Sequence, residues 1–433
     1  MNASRPARTR FAVRLVVATG ALLLAVTGGA VAAGDPMGSQ PSLPGAETRM
    51  LIDQATAAVQ ADAQDTGALL TLGLAWYQHA RETADPSDYA RADEAFQRLL
   101  VLAPDNVEAT IGEGTVALAR HQFRAALPLA QAAVAAAPAS SRAWGILGDT
   151  LSELGRYDEA VAAVQTMVDL RPDLGSYSRV SYQRELRGDL PGAIEAMERA
   201  VIAGGPNTEN TEYVRVLLGN LWCLAGDLDK AEATYSASLA RSPGFVLALA
   251  GLARVASARG DLDKAIELYD QAATRVPLPE LIVALGETQE ADGRADDAAA
   301  TYRLVRDVQG LFAANGVNTD LDLALFEADH GDAAVALERA QVAYDDAPTV
   351  RAADALGWAL YRAGRLEEAR RYAEEALRLG SLEPGYLFHA GMIAVAQGDT
   401  GAARGWLEAS LSHGAAWSAL RAPIARRALE ELS

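Results

Sequence analysis

Apolar residues along this chain step by three and four, pause, and step again. In the clearest stretch Trp144, Leu147, Gly148 and Leu151 make one such series and Ala160, Val164 and Met167 a second, each the stripe of an amphipathic helix. The pattern predicts two helices joined by a tight turn. Gly155 lies just past the first series, where a left-handed C-terminal cap needs no Cβ, and Asp158 sets a carboxylate near the positive end of the second helix. Small residues at the crossing, Gly148 and Ala160, let the two backbones approach, while Tyr157, Val164 and Met167 fill the remaining space. Pro172 ends the second helix.

The unit recurs. Ala160, Ala193, Ala231, Ala265, Ala298, Ala336, Ala369 and Ala403 follow one another at 33 or 34 residues, twice at 38, each with a glycine five residues before it. A period of this size means stacked supersecondary units rather than one enlarging core. Leu72-Gly73, Leu147-Gly148, Leu218-Gly219, Leu285-Gly286, Leu356-Gly357 and Ala390-Gly391 mark the first helices, Phe96, Tyr235, Tyr269 and Tyr302 the second, and Pro104, Pro138, Pro172, Pro243, Pro277 and Pro348 close units. In these offsets the chain resembles the tetratricopeptide repeat family. The expected fold is all-α: a right-handed α-solenoid of about ten helix-turn-helix repeats over 66–417, with units starting near Thr66, Val107, Ser141, Leu174, Glu212, Val246, Pro279, Val317, Val350 and Pro384.

Three places depart from the rhythm. Glu82 to Tyr89, broken by Pro86, adds residues between the helices of unit one and predicts a protruding loop. The two 38-residue intervals place extra residues after Gly204-Gly205-Pro206 and after Gly310, and predict looser joints that divide the array into three blocks.

At the N-terminus, Arg5, Arg8, Arg10 and Arg14 precede an apolar run from Leu15 to Val26 and then Ala30-Val31-Ala32, the layout of a secretory signal peptide over 1–33. The run is short for a spanning helix of about 20 residues, although an uncleaved anchor is the alternative. Residues 34–49 read as a flexible spacer, 50–65 as a helix covering the first unit, and 418–433 as a C-terminal capping helix. These features place the chain outside the cytoplasm, secreted or in the cell envelope.

Length alone, 433 residues, would suggest two or three domains, but a solenoid extends without a growing core. Half of the residues are hydrophobic and only 6% aromatic, as closely packed helices require. The net charge of -19 argues against nucleic acid, because phosphate contacts need clustered cations. It suits either plain solubility or an acidic face for a basic partner.

Catalytic chemistry is sparse. Cys223 is the only cysteine, so no intramolecular disulfide forms. His79, His121, His330, His389 and His413 are scattered and read as surface or turn residues. Gly112-Glu113-Gly114 lacks the rest of a phosphate loop, and Asp320 and Asp322 lack the glycine and terminal glutamate of a calcium loop. No enzyme activity, metal or cofactor is expected.

The resemblance adds an address. In such arrays the first helices line a concave groove, which here implies a row of Asp149, Tyr182, Asn220, Arg254, Glu287, Leu325, Trp358 and Met392. Arg142, Arg179, Arg351, Asp354, Tyr361 and Arg362 flank it. Trp358, Tyr361 and Arg362 with Arg351 and Asp354 form one cluster of residue types that dominate interfaces, unless the aromatics are filler between units. Arg179, Tyr182 and Arg254 around Asn220 form another. The implied function is a non-catalytic scaffold or assembly factor that binds a protein or peptide. The rival is a carrier or sensor of a small or hydrophobic ligand, attached to a membrane transporter or enzyme complex; an open polar channel favours the first, a closed apolar pocket the second.

Overall fold

The computed structural model describes residues 45–205, 209–412 and 417–432, and among these the chain is helix and connecting turn, without a strand. The leader, most of the spacer and His413 lie outside the described residues. A first helix, α1 (Ala46–Ala61), is followed by paired helices: α2 (Thr66–Thr83) and α3 (Ser87–Leu102), α4 (Val107–Ala119) and α5 (Phe123–Ala136), α6 (Ser141–Glu153) and α7 (Tyr157–Leu170), α8 (Leu174–Glu185) and α9 (Leu190–Ala203). The series continues with α10 (Glu209–Leu224) and α11 (Leu228–Arg241), α12 (Val246–Ala258) and α13 (Leu262–Arg275), α14 (Pro279–Ala291) and α15 (Ala295–Ala314). It ends with α16 (Asp320–His330) and α17 (Ala333–Asp346), α18 (Val350–Arg362) and α19 (Leu366–Ala376), α20 (Pro384–Gln397) and α21 (Thr400–Ser412), and the last helix α22 (Arg421–Glu431). None of the described helices is long and apolar enough to cross a membrane.

The repeat packs by one device. An aromatic ring on a second helix fits between glycines on two successive first helices: Phe96 lies against Gly73 and Gly112, and Tyr235 against Gly219 and Gly251. A Cβ at Gly219 would stand 2.3 Å from the Tyr235 ring, so the ring takes the space that the glycine leaves. Both rings are fully buried, as are the crossing alanines from Ala160 to Ala403. Acidic and hydroxyl caps start many helices; Asp189, Asp227, Asp261 and Asp332 each accept from a backbone N–H of the following turn.

Stacking with a constant small rotation winds the array into a superhelix, and this one winds far enough to touch itself. Unit one meets unit five where Arg81 donates to Glu209 (3.0 Å) and Asn210 (2.8 Å). The turn between α4 and α5 meets the segment before α16: Asn318 N–H donates to the Arg120 carbonyl (2.9 Å) and Gln122 to the Gly316 carbonyl (3.0 Å). Val350 N–H donates to the Tyr157 hydroxyl (2.9 Å), and a Cβ on Gly155 would come within 2.5 Å of the Pro348 carbonyl oxygen. One unit further on, Gly188 faces the Gly380 carbonyl in the same way. Glycine is needed at these two turns for close approach as well as for φ near +70°.

These contacts reverse the reading of the irregular joints. The extra residues after Gly310 extend α15 to Ala314 and then supply Gly316 and Asn318 to the seam; α10 begins at Glu209, the partner of Arg81. The rhythm slips where the superhelix contacts its own earlier turn. The insertion in unit one likewise does not protrude. Ala84, with φ 62° and 3% exposure, is tucked into the apolar cluster of α12, α13 and α14.

Both ends of the stack are covered. Ile52, Ala55 and Val59 of α1 are buried on the first unit, and Ala425 and Ala428 of α22 join the apolar cluster of the last units while Arg426, Arg427 and Glu430 face out.

Candidate functional site

The first helices of the later units curve around a half-open lumen. Residues of α10, α12, α14, α16, α18 and α20 ring a cavity of about 570 Å³, with Trp417 and Arg421 at its edge. Its wall is largely apolar, with Leu217, Leu247, Val283, Leu325 and Phe326 among the lining side chains. A smaller cavity of about 80 Å³ adjoins it through Asp322, Arg351 and Tyr386 and reaches Glu153 and Tyr182 across the seam.

Charged groups in the lumen are mostly satisfied in pairs. Arg421 donates to both Glu287 oxygens (2.9 and 2.7 Å) and lies 2.5 Å from Asp329. Burial opposes ionisation of Glu287, but Arg421 and His330 outweigh it and hold the carboxyl down at about 2. Arg351 pairs with Asp322 (2.7 Å), and His389 Nδ1 lies 2.9 Å from Asp354. Asn220 accepts from the Tyr235 hydroxyl and from Arg254, each at 2.7 Å. The ligating atoms of Glu287, Asp329 and His330 lie within 4.8 Å of one another, close enough for a cation, yet the Arg421 guanidinium already supplies the positive charge there.

The repeat has counterparts among known proteins. Models of the tetratricopeptide repeat match residues 111–174, 223–281, 321–384 and 355–419, together half of the chain. The chain belongs to the tetratricopeptide repeat family. No curated protein matches it. Among solved structures, the human IFIT1 dimer with m7Gppp-AAAA is 16% identical with a TM-score of 0.48, covering 78% of each chain. TTC0263, a thermophilic tetratricopeptide repeat protein of Thermus thermophilus, is 20% identical with a TM-score of 0.37, covering 48% of this chain and 98% of that one. MamA from Desulfovibrio magneticus RS-1 is 25% identical with a TM-score of 0.30, over 36% of this chain and 86% of its own.

In this tetratricopeptide repeat array the groove residues separate into two sets. Asn220, Arg254, Glu287, Leu325, Arg351 and Asp354 line the large cavity, and Tyr182 the small one. The others are not among the lining residues of either. Asp149 and Arg179 are buried against each other in a bidentate pair at 2.8 and 2.6 Å, so their charges hold α6 to α8. Arg142 pairs with Glu108 on the preceding first helix. Trp358 is 5% exposed and packed between the rings of Tyr361 and His389, which makes it filler within the last units rather than an interface anchor. Arg362 is exposed at the end of α18. The histidines also differ from expectation: His389 is buried, and His330 is stacked on Tyr302 at 4.1 Å beside Glu287.

Several lumen residues carry no repeat-based signal. Glu280 stands at a helix start, and Trp417 and Arg421 follow α21, all outside the offsets that mark groove positions. The one sign of Glu280 in the sequence is the Pro-Glu pair at that start. Burial raises Glu153 to about 7, against the pull of Arg351, and Glu185 to about 7, helped by Glu383. Burial likewise raises Glu280 to about 8, with Asp322 adding to it.

A carboxyl whose pKa is raised by folding stays protonated in the native state over a range where the unfolded chain has released its proton. The penalty is absent below the unfolded pKa and grows as pH rises toward the folded value. The melting temperature is therefore expected to fall between about pH 5 and pH 8, and Glu153→Gln with Glu185→Gln to flatten that fall; scanning calorimetry of both proteins across this window checks it.

Proposed function

We propose that the chain is a non-catalytic binding scaffold acting outside the cytoplasm, secreted or in the cell envelope, and that it receives an apolar segment of a protein or peptide partner inside its superhelix. The observation that carries this reading is the lumen of about 570 Å³, ringed by the first helices of six successive units: it is half open, so a segment of a larger partner can enter it, and its mostly apolar wall suits an apolar segment. That volume lies in the range of specific ligand sites. The N-terminal Arg-rich and apolar segment supports the location. A catalytic reading lacks its parts: neither His330 nor His389 bonds a hydroxyl or thiol, and each is committed to a carboxylate.

The seam favours a second reading as well. Contacts at Gly155, Gly188 and Asn318 close the side of the tube, as a carrier enclosing a whole small ligand would need. A photo-crosslinking residue at Leu325, in the lumen, separates these from an outer-face partner when compared with the same residue at Val161, which is exposed on α7. Adducts with one protein from position 325 alone support the first reading, a small-molecule adduct there supports the second, and adducts from position 161 alone contradict both.

A further inference from the structure

Where the superhelix meets its own earlier turn it leaves a gap, the cavity of about 80 Å³, with one wall on each turn. The earlier turn contributes Phe123, Glu153, Tyr157 and Tyr182, and the later one Arg351 and Tyr386. Aromatic rings from four different units thus surround space that they do not fill. A water needs about 10–15 Å³ of such space, so an organic group of about five heavy atoms has room here. One ring already shows what it accepts, since the Arg378 guanidinium lies over Tyr157 at 5.2 Å. The charges around the gap are settled, except one. Arg351 is paired with Asp322 (2.7 Å), Asp346 with Arg124 (3.1 Å), and Asp149, one turn before Glu153 on α6, with Arg179. Glu153 has neither a hydrogen bond nor an ion pair among the described residues. Burial pushes His121, on the same wall, below its ordinary range, so it brings no competing cation.

We propose that this seam cavity binds a small organic cation, an amine or quaternary ammonium, which the rings of Phe123, Tyr182 and Tyr386 surround and the Glu153 carboxylate neutralises. The faces of aromatic rings attract cations, and more strongly where water is excluded. A carboxyl without a partner supplies the counter-charge and repels anions. One unpaired acid, among pairs that cancel, matches a single positive charge. The site exists only where the turns meet: Phe123, Glu153 and Tyr182 come from α5, α6 and α8, and Tyr386 from α20. An occupant therefore fastens the two turns together. This site does not depend on what enters the large cavity. Its affinity carries a pH dependence set by Glu153, which burial raises to about 7 against the pull of Arg351, with Asp149 adding to the rise. Tyr157 and Tyr182 are the other titratable groups that feel its charge, and burial raises both. Below about 7 a proton competes with the cation, so binding weakens as pH falls.

Calorimetric titration of the full chain with choline and with 3,3-dimethylbutan-1-ol, at fixed ionic strength, tests it. The two ligands share one shape and differ by a charged nitrogen in place of a carbon. Choline should bind one to one and about tenfold or more tighter than the alcohol at pH 8. Its affinity should drop about fivefold or more at pH 6, while that of the alcohol stays level. Glu153→Gln should bring the two ligands within about twofold, remove the pH dependence, and melt no lower than the parent at pH 8. Tyr386→Leu, which keeps the carboxyl, should weaken choline more than the alcohol. With choline bound, hydrogen exchange should slow on both sides of the seam, in α6 and α8 and in α18 and α20. Equal binding of the two ligands, no binding of choline, a preference that survives Glu153→Gln, or protection confined to one turn overturns the proposal.

Discussion

Trp358→Ala should open the last three units. The indole is 5% exposed and stacks on Tyr361 (4.7 Å between centroids) and on His389 (4.2 Å), with Phe388 at 5.9 Å. Its Nε1–H donates to Asp329 at 2.9 Å, an oxygen of the group that also holds Arg421. Truncating a buried aromatic of this size costs about 3–5 kcal/mol, and here it removes a hydrogen bond as well. Away from the seam each unit contacts its neighbours in sequence, so the loss should be regional, spreading beyond the last units only where α5 to α7 touch them. Hydrogen exchange should show faster exchange in α16, α18 and α20 and little change in α1 to α3. Uniform protection across α18 in the variant would count against the packing role.

Arg421→Ala should be comparably damaging for a different reason. Removing the guanidinium strands Glu287 and Asp329, whose side chains are 15% and 16% exposed, and a broken buried pair costs about 3–5 kcal/mol because the remaining charge is uncompensated. The last helix loses its polar tie to α14 and α16 together with the cap's shielding of the lumen edge. The pH dependence follows from Glu287, whose carboxyl is held down at about 2 in the folded chain. A depressed carboxylate contributes stability that is complete above the unfolded value of 4.5 and disappears as pH falls toward the folded one. Parent and variant should differ most near pH 7 and converge as the pH approaches 2. Thermal melts at pH 7 and pH 3 measure this, and a difference that is the same at both values would argue against the ion pair as its source.

Much of the fold was legible because packing writes it repeatedly. Gly73, Gly219 and Gly251 recur since an aromatic ring must sit against them, and Asp189, Asp227 and Asp261 recur since a helix start needs an acceptor. Helix starts at Thr66, Val107, Ser141, Leu174, Val246, Pro279, Val350 and Pro384 coincide with the unit starts read from the period; those near Glu212 and Val317 are shifted by three residues to Glu209 and Asp320. Both shifts fall where the superhelix meets its own earlier turn. Contacts between distant turns leave no periodic trace, because each occurs once: Tyr157 to Val350, Arg81 to Glu209, Gln122 to Gly316.

The candidate site was half legible for the same reason. A groove position is fixed by the repeat, so Asn220, Arg254, Glu287, Arg351 and Asp354 were found together. What the repeat does not fix is whether a polar residue at that position faces space or its neighbour. Asp149 and Arg179 lie thirty residues apart, one on the groove row and one beside it, and as opposite charges on adjacent first helices they neutralise one another. His121 shows the converse. It stands where other units carry glycine, keeps φ at 54°, and its ring meets the Asn318 carbonyl at 2.8 Å, so an apparent irregularity of one turn is a seam contact.

The account depends most on the superhelix closing against itself, and one proximity measurement addresses that directly. In a Cys223→Ser background, cysteines replacing Arg124 and Asp345 stand on successive turns, where Arg124 now donates to the Asp345 and Asp346 carbonyls at 2.5 and 2.8 Å. A short bismaleimide should join them within one chain, rapidly and at dilute concentration. Absence of the intramolecular link, with both thiols reactive, would show an open solenoid and contradict a superhelix that meets its own earlier turn.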